Sequence, residues 1–167
     1  MPRTKAAAVN NVPPKRSPSA GILAQEHVAV FLSNIGMRLN RGAAAYYRAA
    51  WDLGMVEWRL MMVLSRTSSL NVGELSEAAD LDKAAVSRSL VILEQRNLVS
   101  VEQTRTRGRA AIAKLTAEGQ KLSAKLLAAS RAREARLFEN FTRDEKDRLS
   151  QLLGKLTEAL DGPDWNQ

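Results

Sequence analysis

Two short apolar stripes with helical spacing follow one another between positions 72 and 94, separated by a polar turn. The first stripe predicts a helix from about Val72 to Ala79, and its members are Leu75, Ala78 and Ala79. Asn71, followed three residues later by Glu74, matches a capping box at the start of this helix. Taken alone, the pattern also fits a solvated helical hairpin, which is common in helical domains.

The second stripe predicts a helix that either Asp80 or Asp82 can cap, with its apolar face formed by Ala85 or Val86, Leu90 and Leu93. Its other face carries small, polar and basic side chains, together with one valine: Lys83, Ala84, Ser87, Arg88 and Val91. Such a face suits the major groove of DNA. Small side chains there let the backbone approach closely, while arginine and serine form hydrogen bonds with base edges.

Two strand-like runs follow the second helix. Residues 98–102 alternate apolar and polar side chains, and residues 110–115 can do the same. Two short helices followed by a two-stranded hairpin predict a winged helix-turn-helix, and therefore a DNA-binding head.

The loop between the two runs is strongly basic. It carries Arg105, Arg107 and Arg109, and the only nearby acid is Glu102. Between Lys83 and Thr116, seven basic residues stand against two acidic ones, a local balance of +5. Guanidinium groups on a hairpin tip suit the narrow, electronegative minor groove.

Longer helices are predicted on both sides of the head. Apolar residues repeat at helical spacing from about Ile22 to Arg48, and a turn at 51–54 precedes another helix that carries Leu60. Thr116 can cap a helix that reaches about Glu139, and Thr142 with Glu145 forms a capping box before a final leucine stripe. We expect the apolar faces of the first and last helices to pack together and onto a second subunit. The predicted segments are a basic disordered tail (1–21), a first dimerisation helix (22–50), the DNA-binding lobe (55–116) and the C-terminal dimerisation helices (117–161).

Composition narrows the function classes. The chain has 167 residues, 45% of them hydrophobic, and a formal net charge of +7, which favours nucleic acid or an anionic membrane surface as partner. No apolar run approaches the roughly 20 residues of a membrane span, so no membrane association is expected. The absence of cysteine excludes disulfides and thiol catalysis and is compatible with a reducing cytosol. We therefore predict a cytoplasmic protein.

The sequence shows no pattern typical of a catalytic site. The single histidine, His27, has no acid pattern or nucleophile motif beside it. We find no metal-ligand cluster and no glycine-rich phosphate loop, so neither an enzyme nor a cofactor or metal site is predicted. The tail, which contains several prolines and basic residues, is interpreted as disordered; a basic arm on DNA or a strand that embraces a partner subunit are the alternatives.

Several short motifs together resemble the MarR family of bacterial winged-helix regulators: Val86-Ser87-Arg88, Leu93-Glu94, Asn97-Leu98-Val99, Arg109 in the wing, and Leu115-Thr116 leading into Ala117-Glu118-Gly119. The resemblance spans roughly Val28 to Leu160. It implies a mainly α fold with a small β wing, made of a winged helix-turn-helix lobe and a helical dimerisation lobe. It also implies a two-fold dimer whose heads lie about 34 Å apart, on successive major grooves of a palindromic operator. One position departs from the family: Arg107 stands where an aspartate usually anchors the wing.

The same resemblance implies a small-molecule pocket where the first, second and fifth helices meet. There Arg38 or Arg41, with Tyr47 and Trp58, would hold an aromatic carboxylate between a guanidinium group and aromatic rings. The alternatives are that Trp58 belongs to the core and that the arginines are solvated.

The resulting hypothesis is a homodimeric, ligand-responsive repressor of transcription. Lys83, Ala84, Ser87 and Arg88 would contact the major groove of double-stranded DNA, and Arg105, Arg107 and Arg109 would act from the wing. Two alternatives remain open: a nucleoid-associated protein that binds DNA regardless of sequence, and a protein-interaction module that uses the winged fold without DNA.

Overall fold

The structure, a computed structural model, describes residues 27–102 and 111–162, and the chain divides into two compact units after Met55. The first unit contains one long helix, α1 (Val28–Trp51). It ends three residues beyond the predicted Arg48 because Asp52 adopts a left-handed conformation (φ 51°) and its N–H bonds to the Arg48 carbonyl at 2.9 Å. The predicted tail and the predicted helical residues 22–26 lie outside the described residues.

The second unit begins with α2 (Met55–Leu64), which starts one residue before the boundary. The remaining elements, in chain order, are β1 (Leu70–Asn71), α3 (Val72–Ala79), α4 (Lys83–Gln95), β2 (Val99–Glu102), β3 (Ile112–Leu115), α5 (Ala117–Leu137) and α6 (Arg143–Leu160). This order confirms the predicted fold class, which is mainly α with a small β wing.

The strands form an antiparallel sheet in the order β1-β3-β2. In the hairpin, Val99 pairs with Leu115 and Glu102 with Ile112. The short strand β1 was not predicted. It pairs Leu70 with Ala113 and Asn71 with Ile112, and thereby ties the start of α3 to the wing. Two residues are too few for an alternating pattern to identify a strand.

The buried apolar side chains of the second unit come from every part of the head and from the first half of α5. Those exposed by less than 2% include Leu60, Met61, Leu75, Val86, Leu93, Val99, Ala113 and Leu126. They hold the helices and the sheet of the head as one packed body.

The two C-terminal helices begin at threonine caps, as predicted. The Thr116 hydroxyl accepts the Gly119 N–H at 3.0 Å, and Thr142 forms a full capping box with Glu145. Hydrogen bonds from the Thr142 backbone N–H and hydroxyl hold the pKa of Glu145 below its ordinary value. Helix α5 ends at Leu137, two residues before the predicted end, and α6 buries none of its residues within the chain.

Candidate nucleic-acid interface

The helix pair α3 and α4 is fixed by side-chain hydrogen bonds at the start of each helix. At the start of α3, the Asn71 side chain accepts the Glu74 N–H at 3.0 Å, and the Glu74 carboxylate accepts the Asn71 N–H at 2.8 Å. Helix α3 ends at Ala79, and Asp80, which caps it, lies in the left-handed region with φ 51°. Of the two predicted caps for α4, Asp82 is the one used: its Oδ1 accepts the Ala85 N–H at 2.8 Å. This is the helix-turn-helix that the sequence predicts.

The inner face of α4 is packed into the head. Val86, Leu90 and Leu93 are buried, as predicted, with Val86 rather than Ala85 completing the stripe. A buried polar contact adds to this packing, since the Ser89 hydroxyl donates a hydrogen bond to the Glu57 carboxylate on α2 at 2.8 Å. Both residues are at most 9% exposed. Glu57 and Ser89 were missed by sequence reasoning because their pairing spans 32 residues and follows no local pattern.

The outer face of α4 carries the predicted major-groove residues. Lys83, Ala84, Ser87 and Arg88 are all exposed, so the structure brings them together on one side of one helix. Neither Lys83 nor Arg88 forms an ion pair with another described residue. Their charges are therefore available to phosphates and base edges.

The hydroxyl group of Ser87 donates its proton to a hydrogen bond within α4. The Oγ donates to the Lys83 carbonyl at 2.9 Å, which leaves only its lone pairs for an outside partner. In this rotamer Ser87 is an acceptor, so it suits an amino group of adenine or cytosine better than an acceptor atom of guanine.

The wing is anchored to α4 at its base. The Glu94 carboxylate on α4 accepts the Val101 N–H of β2 at 3.2 Å, and Lys114 forms an ion pair with Glu102 across the hairpin. Glu102, the one acid near the arginine-rich tip, is thus already paired with a lysine. The tip itself lies outside the described residues, and with it the predicted contacts Arg105, Arg107 and Arg109.

The start of α5 is joined directly to the end of α4. Asn97 adopts a left-handed conformation (φ 54°), and the Leu98 carbonyl then accepts the Thr116 N–H at 3.1 Å. The Thr116 hydroxyl donates to the Asn97 carbonyl at 2.7 Å. A Cβ at Gly119 would stand 1.9 Å from the Leu98 carbonyl oxygen, so the two backbones approach as closely as only glycine permits. These contacts hold the start of α5 against the residues that follow α4.

The predicted effector residues lie in different surroundings. Arg38 and Arg41 are exposed on α1, three residues apart, while Tyr47 is buried with 2% of its surface exposed. The Tyr47 ring contacts Tyr46 edge-on, with centroids 5.3 Å apart. Trp58 is half-buried on α2.

A separate cleft of about 270 Å³ lies within the second unit, between the end of α2 and the start of α5. Its lining includes Leu64, Leu115, Gln120 and Ser123, and it contains no charged side chain. None of the four predicted effector residues lines this cleft. It therefore offers no counter-charge to a carboxylate.

Residues 27–102 and 111–162 contain neither a candidate metal site nor a candidate membrane-spanning helix. No group of three histidine or acidic side chains there could hold a metal ion. Of the helices in that part of the chain, none has both the length and the apolarity that crossing a membrane requires.

Comparison with known proteins agrees with this geometry. A model described as "MarR family" matches residues 51–110. A MarR/EmrR family transcriptional regulator from Acinetobacter sp. ADP1 is 33% identical, with 82% of this chain and 96% of that chain covered and a TM-score of 0.74. A MarR family regulator from Silicibacter pomeroyi shares the fold at 22% identity, with 90% and 99% covered and a TM-score of 0.70.

A third solved structure, NadR in complex with 4-hydroxyphenylacetate, is 25% identical, with 74% and 90% covered and a TM-score of 0.59. The chain has no significant match among the curated proteins. The fold and the exposed face of α4 define a winged-helix DNA-binding protein. The chain belongs to the MarR family of transcriptional regulators, a family whose members bind DNA and small-molecule effectors.

Proposed function

We propose that the protein is a sequence-specific repressor of transcription that a small aromatic carboxylate releases from DNA. The observation that carries the proposal is the outer face of α4, where Lys83, Ala84, Ser87 and Arg88 are exposed together while Val86, Leu90 and Leu93 hold the opposite face in the core. A rigidly packed helix with an exposed basic face is the arrangement that direct contact with base edges requires. We place its action in the bacterial cytoplasm, where the chromosome lies.

We further propose that the functional unit is a homodimer. Helix α6 exposes Leu152, Leu153, Leu156 and Leu160 by 41–48%, and α1 exposes Phe31 and Leu39 by 50% and 46%. Large apolar side chains exposed along a helix in this way are typical of surfaces that a second copy of the chain covers. A two-fold dimer would place two α4 helices about 34 Å apart and so favour a palindromic operator. Light scattering on the purified protein should give twice the chain mass, and a monomer at micromolar concentration would contradict this proposal.

The proposed effector is an aromatic carboxylate. NadR, a structural neighbour, was solved with 4-hydroxyphenylacetate, which belongs to this class. Arg38, Arg41, Tyr47 and Trp58 remain the candidate contact residues, because a guanidinium group pairs with a carboxylate and aromatic rings pack on aromatic rings. Release from DNA requires that the ligand bind more tightly to a head spacing that does not fit the operator.

The effector proposal is tested by titrating 4-hydroxyphenylacetate into a protein–DNA complex and measuring release. Arg38→Ala or Arg41→Ala should raise the concentration needed for release. Arg48→Ala is the matched control, since Arg48 lies on the same helix and is paired with Asp52 at 3.0 Å. Equal sensitivity of all three variants would count against the two arginines as contacts.

The DNA-binding proposal is tested by selecting bound fragments from the organism's genomic DNA at near-physiological salt. Enrichment of a palindrome supports the regulator. A net charge of +7 also favours the alternative of a nucleoid-associated protein, which would retain DNA without enrichment. Absence of retention would contradict both functions and favour a protein-interaction module.

A further inference from the structure

One apolar side chain lies near the middle of the outer face of α4 around the helix axis, about one turn beyond Arg88 along it. Val91 is 53% exposed, although the residues opposite it, Val86 and Leu93, are fully buried. At about 3.6 residues per turn, Val91 and Ala84 lie within about 20° of each other around the helix axis. Arg88 lies between them along the helix and beside both.

Neither helix propensity nor packing against the described residues accounts for valine at this position. A β-branched residue forms helices less readily than alanine, and half of this side chain is left in contact with water. The neighbouring Ile92 is also exposed, at 44%, but it lies about a quarter turn away from the line that Ala84 and Val91 share.

We infer that Val91 contacts the C5-methyl group of a thymine in the operator and so contributes to the sequence preference of the protein. Thymine is the only standard base that presents a methyl group in the major groove. Val91 lies seven positions after Ala84, which is roughly 10 Å along the axis, close to three base-pair steps of about 3.4 Å. A groove contact by Arg88 therefore brings Val91 within reach of a neighbouring base pair. The inference rests on the proposed function.

The expected effect follows from the burial of one methyl group. Removing a methyl from an apolar contact weakens binding about fourfold. Replacing thymine by deoxyuridine removes that methyl while leaving the base pair and its hydrogen bonds unchanged.

The experiment uses the full-length protein and the palindrome recovered from genomic selection. Each thymine of one half-site is replaced in turn by deoxyuridine, and affinity is measured by fluorescence anisotropy for the wild type, Val91→Ala and Ile92→Ala. We expect one thymine position at which the wild type and Ile92→Ala lose about fourfold in affinity. Val91→Ala should lose less than about twofold at the same position, because the partner of the methyl is gone.

Two results would overturn the inference. In the first, replacing thymine by deoxyuridine lowers the affinity of the wild type and of Val91→Ala equally at every position. In the second, no thymine replacement lowers the affinity of the wild type. Failure of the proposed function is distinguished by a separate measurement, made before any thymine is replaced. In that case the wild type binds the palindrome and random DNA of the same length with equal affinity. Val91 is exposed, so its replacement leaves the core intact, and matched circular dichroism spectra of the two variants verify this.

Discussion

At Gly119 a single added methyl group should disturb the packing of the second unit. An alanine Cβ there would stand 1.9 Å from the Leu98 carbonyl oxygen and 2.9 Å from its carbon. Both atoms belong to backbone, which cannot swing aside as a flexible side chain can. The contact joins the first turn of α5 to the residues that follow α4.

Two effects oppose each other in Gly119→Ala. Alanine is the better helix former, by about 1 kcal/mol. Against this, the Leu98 carbonyl must retreat by more than an ångström, which strains the packing by about 1–3 kcal/mol. The same movement weakens the hydrogen bond that Leu98 accepts from Thr116 at 3.1 Å, worth about 1 kcal/mol more. We expect a net loss of about 1–3 kcal/mol in the free energy of unfolding.

The measurement is urea denaturation followed by circular dichroism at one fixed protein concentration, since the stability of the proposed dimer would depend on concentration. Gly154→Ala is the matched control. Gly154 also lies inside a helix, but a Cβ there would meet nothing within 4 Å, so it should stabilise the protein by about 1 kcal/mol. If Gly119→Ala shifts stability in the same direction as Gly154→Ala, the close contact between α5 and Leu98 does not exist in solution.

Three further predictions concern polar contacts of the same unit. Ser89→Ala removes the hydroxyl that donates to buried Glu57 and should cost about 1–3 kcal/mol in thermal unfolding; an unchanged melting temperature would show that water replaces the serine. Asn71→Ala removes the cap of α3 and should cost about 1 kcal/mol by urea denaturation, whereas a neutral result would mean that the strand pairing of that residue alone fixes the helix start. Hydrogen bonds from Thr142 lower the pKa of Glu145, so the charged carboxylate stabilises the fold above its ordinary pKa of 4.5, and this stabilisation is lost as the pH falls below that value. Glu145→Gln should therefore lose less stability on acidification than the wild type in melting curves measured over a pH series. Parallel pH profiles of the two proteins would contradict this prediction.

Local patterns predicted the bounds of the helix-turn-helix accurately, although Ala78, which was expected on the apolar face of α3, is exposed. The start and end of α3, its capping box and the buried stripe of α4 all depend on residues three or four positions apart, and the structure confirms each of them. Spacing of this kind reflects the geometry of a single helix, so no knowledge of the rest of the chain is needed.

Contacts between distant segments were not predictable in the same way. The Ser89–Glu57 hydrogen bond, strand β1 and the approach of Gly119 to Leu98 arise only when separate elements meet. For the approach of Gly119 to Leu98, the one signal in the sequence was the glycine itself, because helices otherwise disfavour glycine. The end of α1 was predicted three residues too early, since the aspartate that ends it takes a left-handed conformation usually occupied by glycine or asparagine.

For the candidate site, the sequence identified which side chains share the outer face of α4, and the structure finds them exposed there. Their contacts with DNA, those of the wing arginines and the effector residues stay predictions. The acceptor character of Ser87 emerged only from its hydrogen bond to Lys83, a rotamer that no sequence pattern specifies.

The affinity of Arg88→Ala for the selected palindrome and for random DNA tests direct contact between α4 and base edges most directly. We predict a loss of about 1–3 kcal/mol that is confined to the palindrome, because a guanidinium group that pairs with guanine discriminates between sequences. Arg107→Ala is the comparison: it should weaken binding to both DNAs and lower the salt dependence by about one unit. Equal losses on palindrome and random DNA for Arg88→Ala would show that α4 touches only the phosphate backbone.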